Sequence, residues 1–434
     1  MSIPIDKLYH YIESIARRVY GDIIIYRFYP HGSKKLEDLT PLRIPTNKLY
    51  ISTPAIYCND QEPLSYDFYN NGPVKIDDKF NYLLEKYHLS TFKKSNLNQY
   101  STIYDKVLLL HSEVRSTNLV KYSNDGYIPV YYWAHGIIAR DWYRYAHYEV
   151  IQKNVHKTFL IYNRAWAGTR EYRLKFIDLL IKNNIIDKCQ TTVNPTDPDL
   201  NLHYTEHTYK NKSWAPEYIL EDYVGKISTA SSLSSADYDL DDYNATEFEV
   251  VLETLFDDDR IQLTEKILRP ISLGQPFLLA STHGSLEYLQ SYGFRTFATI
   301  IDESYDTIED PVLRLEAIVK TMIEIANWSQ EEYTYKMKIA YQIAEYNRKH
   351  FFSDKFTNQL NDELELNLKN GLHELEKLNT SSIFLKRRKL FCKHNELKEY
   401  FLADAPRPVI SKVISKARQY YVRSLSALDN TKKS

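Results

Sequence analysis

The chain has 434 residues, 43% of them hydrophobic, and a formal net charge of -2. That length exceeds one ordinary core, so two domains of roughly 150 to 200 residues plus an extension are expected. No apolar run approaches the roughly 18 residues of a membrane span, no charged-then-apolar leader opens the chain, and the near-neutral charge excludes a global field for polyanions, so a soluble cytoplasmic protein is expected.

In chain order, residues 5 to 18 carry Leu8, Ile12, Ile15 and Ala16 at helical spacing and lead into the strand-like Ile23-Ile24-Ile25-Tyr26. Further strands are expected at Leu49 to Cys58, Lys106 to Leu110 and Ile128 to Trp133, with helices at 78 to 88 and 137 to 153. The rhythm restarts at Thr158 to Tyr162, followed by a polar loop with Gly168 and a helix from Thr169 to Lys182. A polar stretch, 193 to 245, reads as long loops or an insertion. Strands at 248 to 252, 277 to 280 and 295 to 300 follow, and from Pro311 the pattern is helical almost to the end.

Strands alternating with helices predict an α/β fold of two Rossmann-like domains, the GT-B arrangement, with a helical C-terminal extension. The boundaries expected are 1–155 for an acceptor domain, 156–345 for a nucleotide-sugar domain and 346–434 for the basic extension. The cysteines Cys58, Cys189 and Cys392 are too far apart for a disulfide framework or a cysteine-based zinc motif.

The stretch with the most chemistry is Thr264-Glu265-Lys266. Thr264 suits a helix N-cap, and at such a place a carboxylate accepts hydrogen bonds from ribose hydroxyls while a lysine and free N–H groups face phosphates. The same residues also describe an ordinary capped surface helix. Asn163-Arg164 and Arg170 flank the loop after Thr158–Tyr162, where phosphate-binding loops sit; an arginine there offers a bidentate fork to a diphosphate, though one of the two could pair with Glu171 or solvent. Tyr57-Cys58-Asn59-Asp60-Gln61-Glu62-Pro63 follows a strand, and Pro63 holds Glu62 off helical geometry, so Glu62, or after it Asp60, is the candidate general base. A plain turn built by Asp60 and Pro63 is the alternative. His111-Ser112-Glu113 and Trp133-Ala134-His135 also end strands; His135, Glu113, His111 and Trp133 are candidate acceptor or sugar contacts, against the alternative of core residues. Asp257-Asp258-Asp259 and Asp237 to Asp242 read as solvated acidic loops, not metal ligands, and no metal or other cofactor is expected. Lys386-Arg387-Arg388-Lys389 is either a solvated helix face or a contact for nucleic-acid phosphate.

Thr264-Glu265-Lys266, with Pro270-Ile271, Gln275-Pro276-Phe277, Tyr292-Gly293-Phe294-Arg295-Thr296-Phe297 and Asp302-Glu303-Ser304-Tyr305-Asp306, resembles a group of phage-encoded glycosyltransferases. Its first part is also similar to the donor-site Glu-Lys segment of fucosyltransferase-like GT-B enzymes. The resemblance implies a nucleotide-sugar co-substrate, with Glu265 on the ribose, Lys266 on the phosphates and Glu62 as base. It also implies duplex DNA as a partner, with 5-hydroxymethylcytosine as acceptor, and the cytoplasm of an infected bacterial host as location. A fucosyltransferase-like enzyme of surface glycan synthesis and a non-catalytic nucleotide- or DNA-binding module are the alternatives. The Glu-x7-Glu pattern of many retaining GT-B enzymes is missing, since Leu273 stands where the second glutamate would be.

Overall fold

A computed structural model describes the backbone of residues 24–29, 40–43 and 55–59, and residues 107–116, 127–218, 220–223, 230 and 236–379. The expectations for 5 to 18, 78 to 88, Asp60, Glu62 and the tail beyond 379, with Lys386 to Lys389, lie outside the described residues. The chain is α/β, with a parallel four-stranded sheet and helices, and its contacts divide it into two compact units.

One unit holds strands β1 (Ile24–Tyr29), β2 (Thr40–Arg43), β3 (Ala55–Asn59), β4 (Val107–His111) and β5 (Tyr127–Tyr131), in the order β2-β1-β3-β4-β5. Pairing is parallel except for the antiparallel edge strand β2. β3 is described over Ala55–Asn59, overlapping the run expected from Leu49 to Cys58 and reaching one residue past it, and β5 ends at Tyr131, two residues before Trp133.

The other unit comprises His135–Asn361 and Glu113–Ser116 among the described residues. After α1 (Ala134–Trp142) come β6 (Lys157–Ile161), α2 (Tyr172–Lys182), β7 (Cys189–Thr191), the short hairpin β8 (Thr196–Asp197) and β9 (Leu202–His203), α3 (Leu240–Ala245) and β10 (Thr246–Leu252). Then follow α4 (Glu265–Leu273), β11 (Phe277–Ala280), α5 (Ser285–Ser291), α6 (Pro311–Ala326), α7 (Gln330–Phe351) and α8 (Asp354–Asn379), whose residues from Asp362 onward count with the unit of β1 to β5. The sheet order is β11-β10-β6-β7, all parallel. β6 therefore connects through α2 to one neighbour, and β10 connects through α4 in the opposite direction. Right-handed crossovers then put α2 and α4 on opposite faces. The packing agrees, with α2 against α6 and α4 against α7. The reversal between β6 and β10 is a topological switch point, where open α/β sheets bind ligands at the carboxyl ends of their strands.

Because both faces are covered, the centre of the sheet is buried: Phe159, Leu160 and Ile161 in β6, and every residue of β10. β10 begins before the run expected at 248 to 252, adding Thr246 and Glu247, and it carries Glu249 within that run. Glu247 accepts hydrogen bonds from the hydroxyls of Tyr333 and Tyr341 on α7.

Three expectations are corrected. Residues 295 to 300 form no strand: the Asn347 side chain accepts from the Arg295 N–H and donates to its carbonyl, both at 2.8 Å. One amide thus satisfies the backbone as a neighbouring strand would. The helix expected over 137 to 153 stops at Trp142, because Tyr143 is drawn inward and Arg348 of α7 donates to the carbonyls of Ala146, His147 and Glu149. The helix expected from Thr169 begins at Tyr172, after a single 3-10 turn at Gly168–Arg170.

α4 owes its limits to its sequence. Thr264 is the N-cap, and Gly274 closes the other end in the left-handed region, φ 71°. Gly274 N–H donates to Ile271 (3.2 Å) and Gln275 N–H to Pro270 (2.9 Å), the paired bonds of a Schellman motif.

Candidate functional site

The N-terminus of α4 lies past the carboxyl end of β10, and Glu253 fixes it. This carboxylate, fully buried, accepts from the Thr264 N–H (3.0 Å) and from the Thr264 hydroxyl (2.6 Å). The same threonine oxygen accepts from the Lys266 N–H at 3.4 Å and from the Lys266 ammonium at 3.0 Å. Lys266 Nζ also lies 2.7 Å from Glu265 Oε1. The structure thus brings Thr264, Glu265 and Lys266 into one hydrogen-bonded cluster, with the lysine folded back onto its neighbour.

Glu265 is 2% exposed, and its Oε2 lies 3.3 Å from Nε2 of His135, itself 1% exposed. Two residues that sequence reasoning assigned to different ligand parts are therefore partners. The Tyr143 hydroxyl donates to the Glu265 carbonyl at 2.9 Å. Burial holds that phenol neutral, with its pKa well above the ordinary value.

One turn along, Arg269 secures α4 to the sheet. Its Nη2 lies 2.5 Å and its Nε 3.2 Å from Glu249 Oε1, and its guanidinium sits 4.3 Å over the Tyr162 ring. Tyr243 donates to the other Glu249 oxygen. Desolvation raises the Glu249 pKa despite Arg269; desolvation works against the Arg269 charge, but the Glu249 carboxylate beside it outweighs this and holds its pKa well above normal. Asp242, expected in a solvated loop, is buried and accepts from Tyr162 and Gln190.

The loop between β6 and α2 carries the arginines. Its backbone is held by Asp197, whose carboxylate accepts from the N–H groups of Trp166, Ala167, Asp199 and Leu200 at 2.8 to 3.1 Å. Arg164 Nη2 lies 2.7 Å from Asp199 Oδ1, and Arg170 Nη2 lies 3.2 Å from Asp199 Oδ2. Neither arginine pairs with Glu171, which instead binds His207 and the Lys210 N–H. Beneath the loop, buried Arg173 donates to the carbonyls of Ala165 (2.7 Å) and Leu252 (2.6 Å), bridging the ends of β6 and β10. Tyr172 donates to the Glu253 carbonyl at 2.7 Å. A continuous chain of hydrogen bonds thus runs from the arginine loop through Arg173, Tyr172 and Glu253 to Thr264 and Lys266.

Glu113 meets the same unit through Arg260, 3.1 Å away, beside an antiparallel bridge between Val114 and Ile261. Burial raises the Glu113 pKa, and Arg260 partly offsets this. Arg260 also grips Asp258, while Asp257 accepts from Trp214 Nε1 at 2.8 Å. Asp257 and Asp258 are engaged in these contacts, Asp259 is exposed, and no group of three potential metal-ligating side chains occurs among the described residues. His111 and Trp133 are buried in the unit of β1 to β5, with His111 edge-on to Tyr131 at 5.8 Å.

Sequence reasoning missed Glu253, Asp197, Asp199, Arg173 and Tyr143. A charged residue closing an apolar strand run, as in Val250-Val251-Leu252-Glu253, and the Pro-flanked pair Asp197 and Asp199 were the available signals. Comparison with protein-family models, curated proteins and solved structures gave no match.

Proposed function

We propose that the chain is a glycosyltransferase that moves a sugar from a nucleotide-sugar to an acceptor hydroxyl, built as two Rossmann-like domains of GT-B type. The observation that carries this reading is the bonded chain at the β6/β10 switch point. It joins two arginines on one strand-end loop to a capped helix N-terminus bearing Glu265 and Lys266. Arg164, Arg170 and Lys266 suit a diphosphate, and Glu265 with His135 suits hydroxyl groups of the ribose or sugar.

In this reaction a base removes the acceptor proton, the freed oxygen bonds to the anomeric carbon, and the carbon–oxygen bond to the diphosphate breaks. The leaving group takes the electron pair, and the three cations stabilise its added charge, an electrostatic effect of about 3 to 4 kcal/mol per well-placed donor. Glu62 is the base we favour, with Asp60 second. The acceptor we favour is 5-hydroxymethylcytosine in duplex DNA, with Lys386, Arg387, Arg388 and Lys389 on the phosphate backbone.

The test is mass spectrometry of hydroxymethylated duplex DNA after incubation with the chain and a panel of nucleotide-sugars. A gain of one sugar mass, lost in Lys266→Ala, is expected. No gain with any donor refutes the DNA acceptor, and no donor hydrolysis or transfer to any hydroxyl acceptor refutes the enzyme.

A further inference from the structure

Asp199 is the one carboxylate to which both loop arginines donate: Arg164 reaches one of its oxygens at 2.7 Å and Arg170 the other at 3.2 Å. This is the geometry in which two guanidinium groups grip opposite oxygens of a phosphate. Two arginines face the Asp199 carboxylate, with Arg173 buried below them, while the neighbouring Asp197 carboxylate is taken up by backbone N–H groups. Asp199 sits in the tight turn joining β8 to β9, where Asn201 takes φ 51° and Asp197 holds the Asp199 and Leu200 N–H groups. The Asp197 anchor is independent of the arginines, so the turn keeps its shape when the Asp199 side chain swings away. The three side chains remain partly exposed, at 42%, 25% and 34% for Arg164, Arg170 and Asp199, so solvent or a solute reaches the pair. Exposed ion pairs of this kind hold weakly. At the base of the same loop, Asn163 is 4% exposed and its side-chain oxygen has no hydrogen-bond partner among the described residues. It is an acceptor that a ligand hydroxyl or N–H would satisfy.

We propose that Asp199 is a resident stand-in for the phosphate of the ligand, holding Arg164 and Arg170 in register and yielding to a diphosphate group. The inference rests on the donor-site reading of the arginine loop given above. Asp199 then sets a threshold: a singly charged anion gains little by replacing a carboxylate, whereas a diphosphate with its greater charge displaces it.

The test is calorimetric titration of the full chain with inorganic pyrophosphate at low ionic strength, comparing wild type with Asp199→Asn and Asp199→Ser. Both variants remove the competing charge from an exposed turn, and each is expected to bind pyrophosphate about three- to tenfold more tightly. Arg164→Gln with Arg170→Gln is expected to weaken binding by at least the same factor. Unchanged or weaker binding in a folded Asp199 variant overturns the proposal, as does a lack of pyrophosphate binding by both wild type and variants. Because pyrophosphate needs neither sugar nor acceptor, tighter binding without any sugar transfer keeps the stand-in and removes the glycosyltransferase. Transfer with an Asp199 variant whose KM for donor is unchanged does the reverse.

Discussion

Replacing Arg269 by Met tests whether the buried charge pair holds α4 to the sheet. Glu249 is fully buried and Arg269 is 3% exposed, and the guanidinium makes two contacts with Glu249 Oε1, at 2.5 and 3.2 Å. Methionine matches the aliphatic part of the side chain but leaves a carboxylate in a dry site, so the loss is the cost of an unpaired buried charge, about 3 to 5 kcal/mol. That is a large share of the total for a domain, roughly 5 to 15 kcal/mol. Urea denaturation followed by circular dichroism reads it directly. The sign with pH is fixed by Glu249, whose pKa in the folded chain lies above the ordinary glutamate value of about 4.3. The folded state then binds more protons than the unfolded one between those two values, so the penalty is absent at low pH and grows as pH rises through the folded pKa. Removing Arg269 raises that pKa further, and the deficit of Arg269→Met is therefore smaller at pH 5.5 than at pH 8. Adding Glu249→Gln, which keeps an acceptor for the Tyr243 hydroxyl, recovers about 2 kcal/mol or more. A deficit below about 1 kcal/mol, identical at both pH values, refutes the reasoning.

Two further substitutions probe the scaffold of the site. Glu253→Gln presents an amide N–H₂ to either the Thr264 N–H or its hydroxyl, costs about 1 to 3 kcal/mol, and loosens the cap that carries Lys266. The expected readout is a smaller rise of Tm with a nucleotide-sugar than in wild type; an equal rise refutes a positioning role. Gly293→Ala meets two obstacles, a backbone at φ +89° and a Cβ only 2.9 Å from His350 Nε2, so a loss of about 1 to 3 kcal/mol is expected, seen as a drop in Tm. An unchanged Tm would mean that the His350 ring and the backbone relax freely.

The elements most legible in the sequence are those whose apolar runs coincide with burial. β6 and β11 appear as Thr158–Tyr162 and Phe277–Ala280, and α4 is announced by its N-cap, its left-handed Gly274 and little else. Where sequence reasoning failed, a partner distant in the chain supplied the missing polar contacts. The start of β10 was hidden because Glu247 is polar by composition and buried by virtue of two tyrosines on α7. The stretch around Arg295 alternates in burial like a strand, yet its backbone partner is a side chain on α7. The polar run from 193 reads as insertion, and one carboxylate, Asp197, turns its first part into an ordered support for the arginine loop. At the site, Thr264-Glu265-Lys266 was visible as a capped helix start, while Glu253 and His135, which fix it, are 11 and about 130 positions away.

β10 carries Glu247 and Glu249, and Glu253 follows directly after its last residue, Leu252; their alternate or twice-alternate spacing matches the period of two along an extended chain. Each is met by a different donor set: tyrosines of α7, Arg269 of α4 with Tyr243, and the Thr264 cap of α4. An apolar helix face on an apolar strand tolerates a shift of one turn at small cost, because area burial is non-directional. A carboxylate with one matching donor tolerates no such shift, since moving the helix leaves a buried charge unpaired. Two such points, Glu249 and Glu253, fix α4 along and around its axis, and Glu247 ties α7 to the same strand. That rigidity is what a helix N-terminus needs if Glu265 and Lys266 are to hold a diphosphate ester in a productive geometry, where an error near 1 Å costs about a hundredfold in rate.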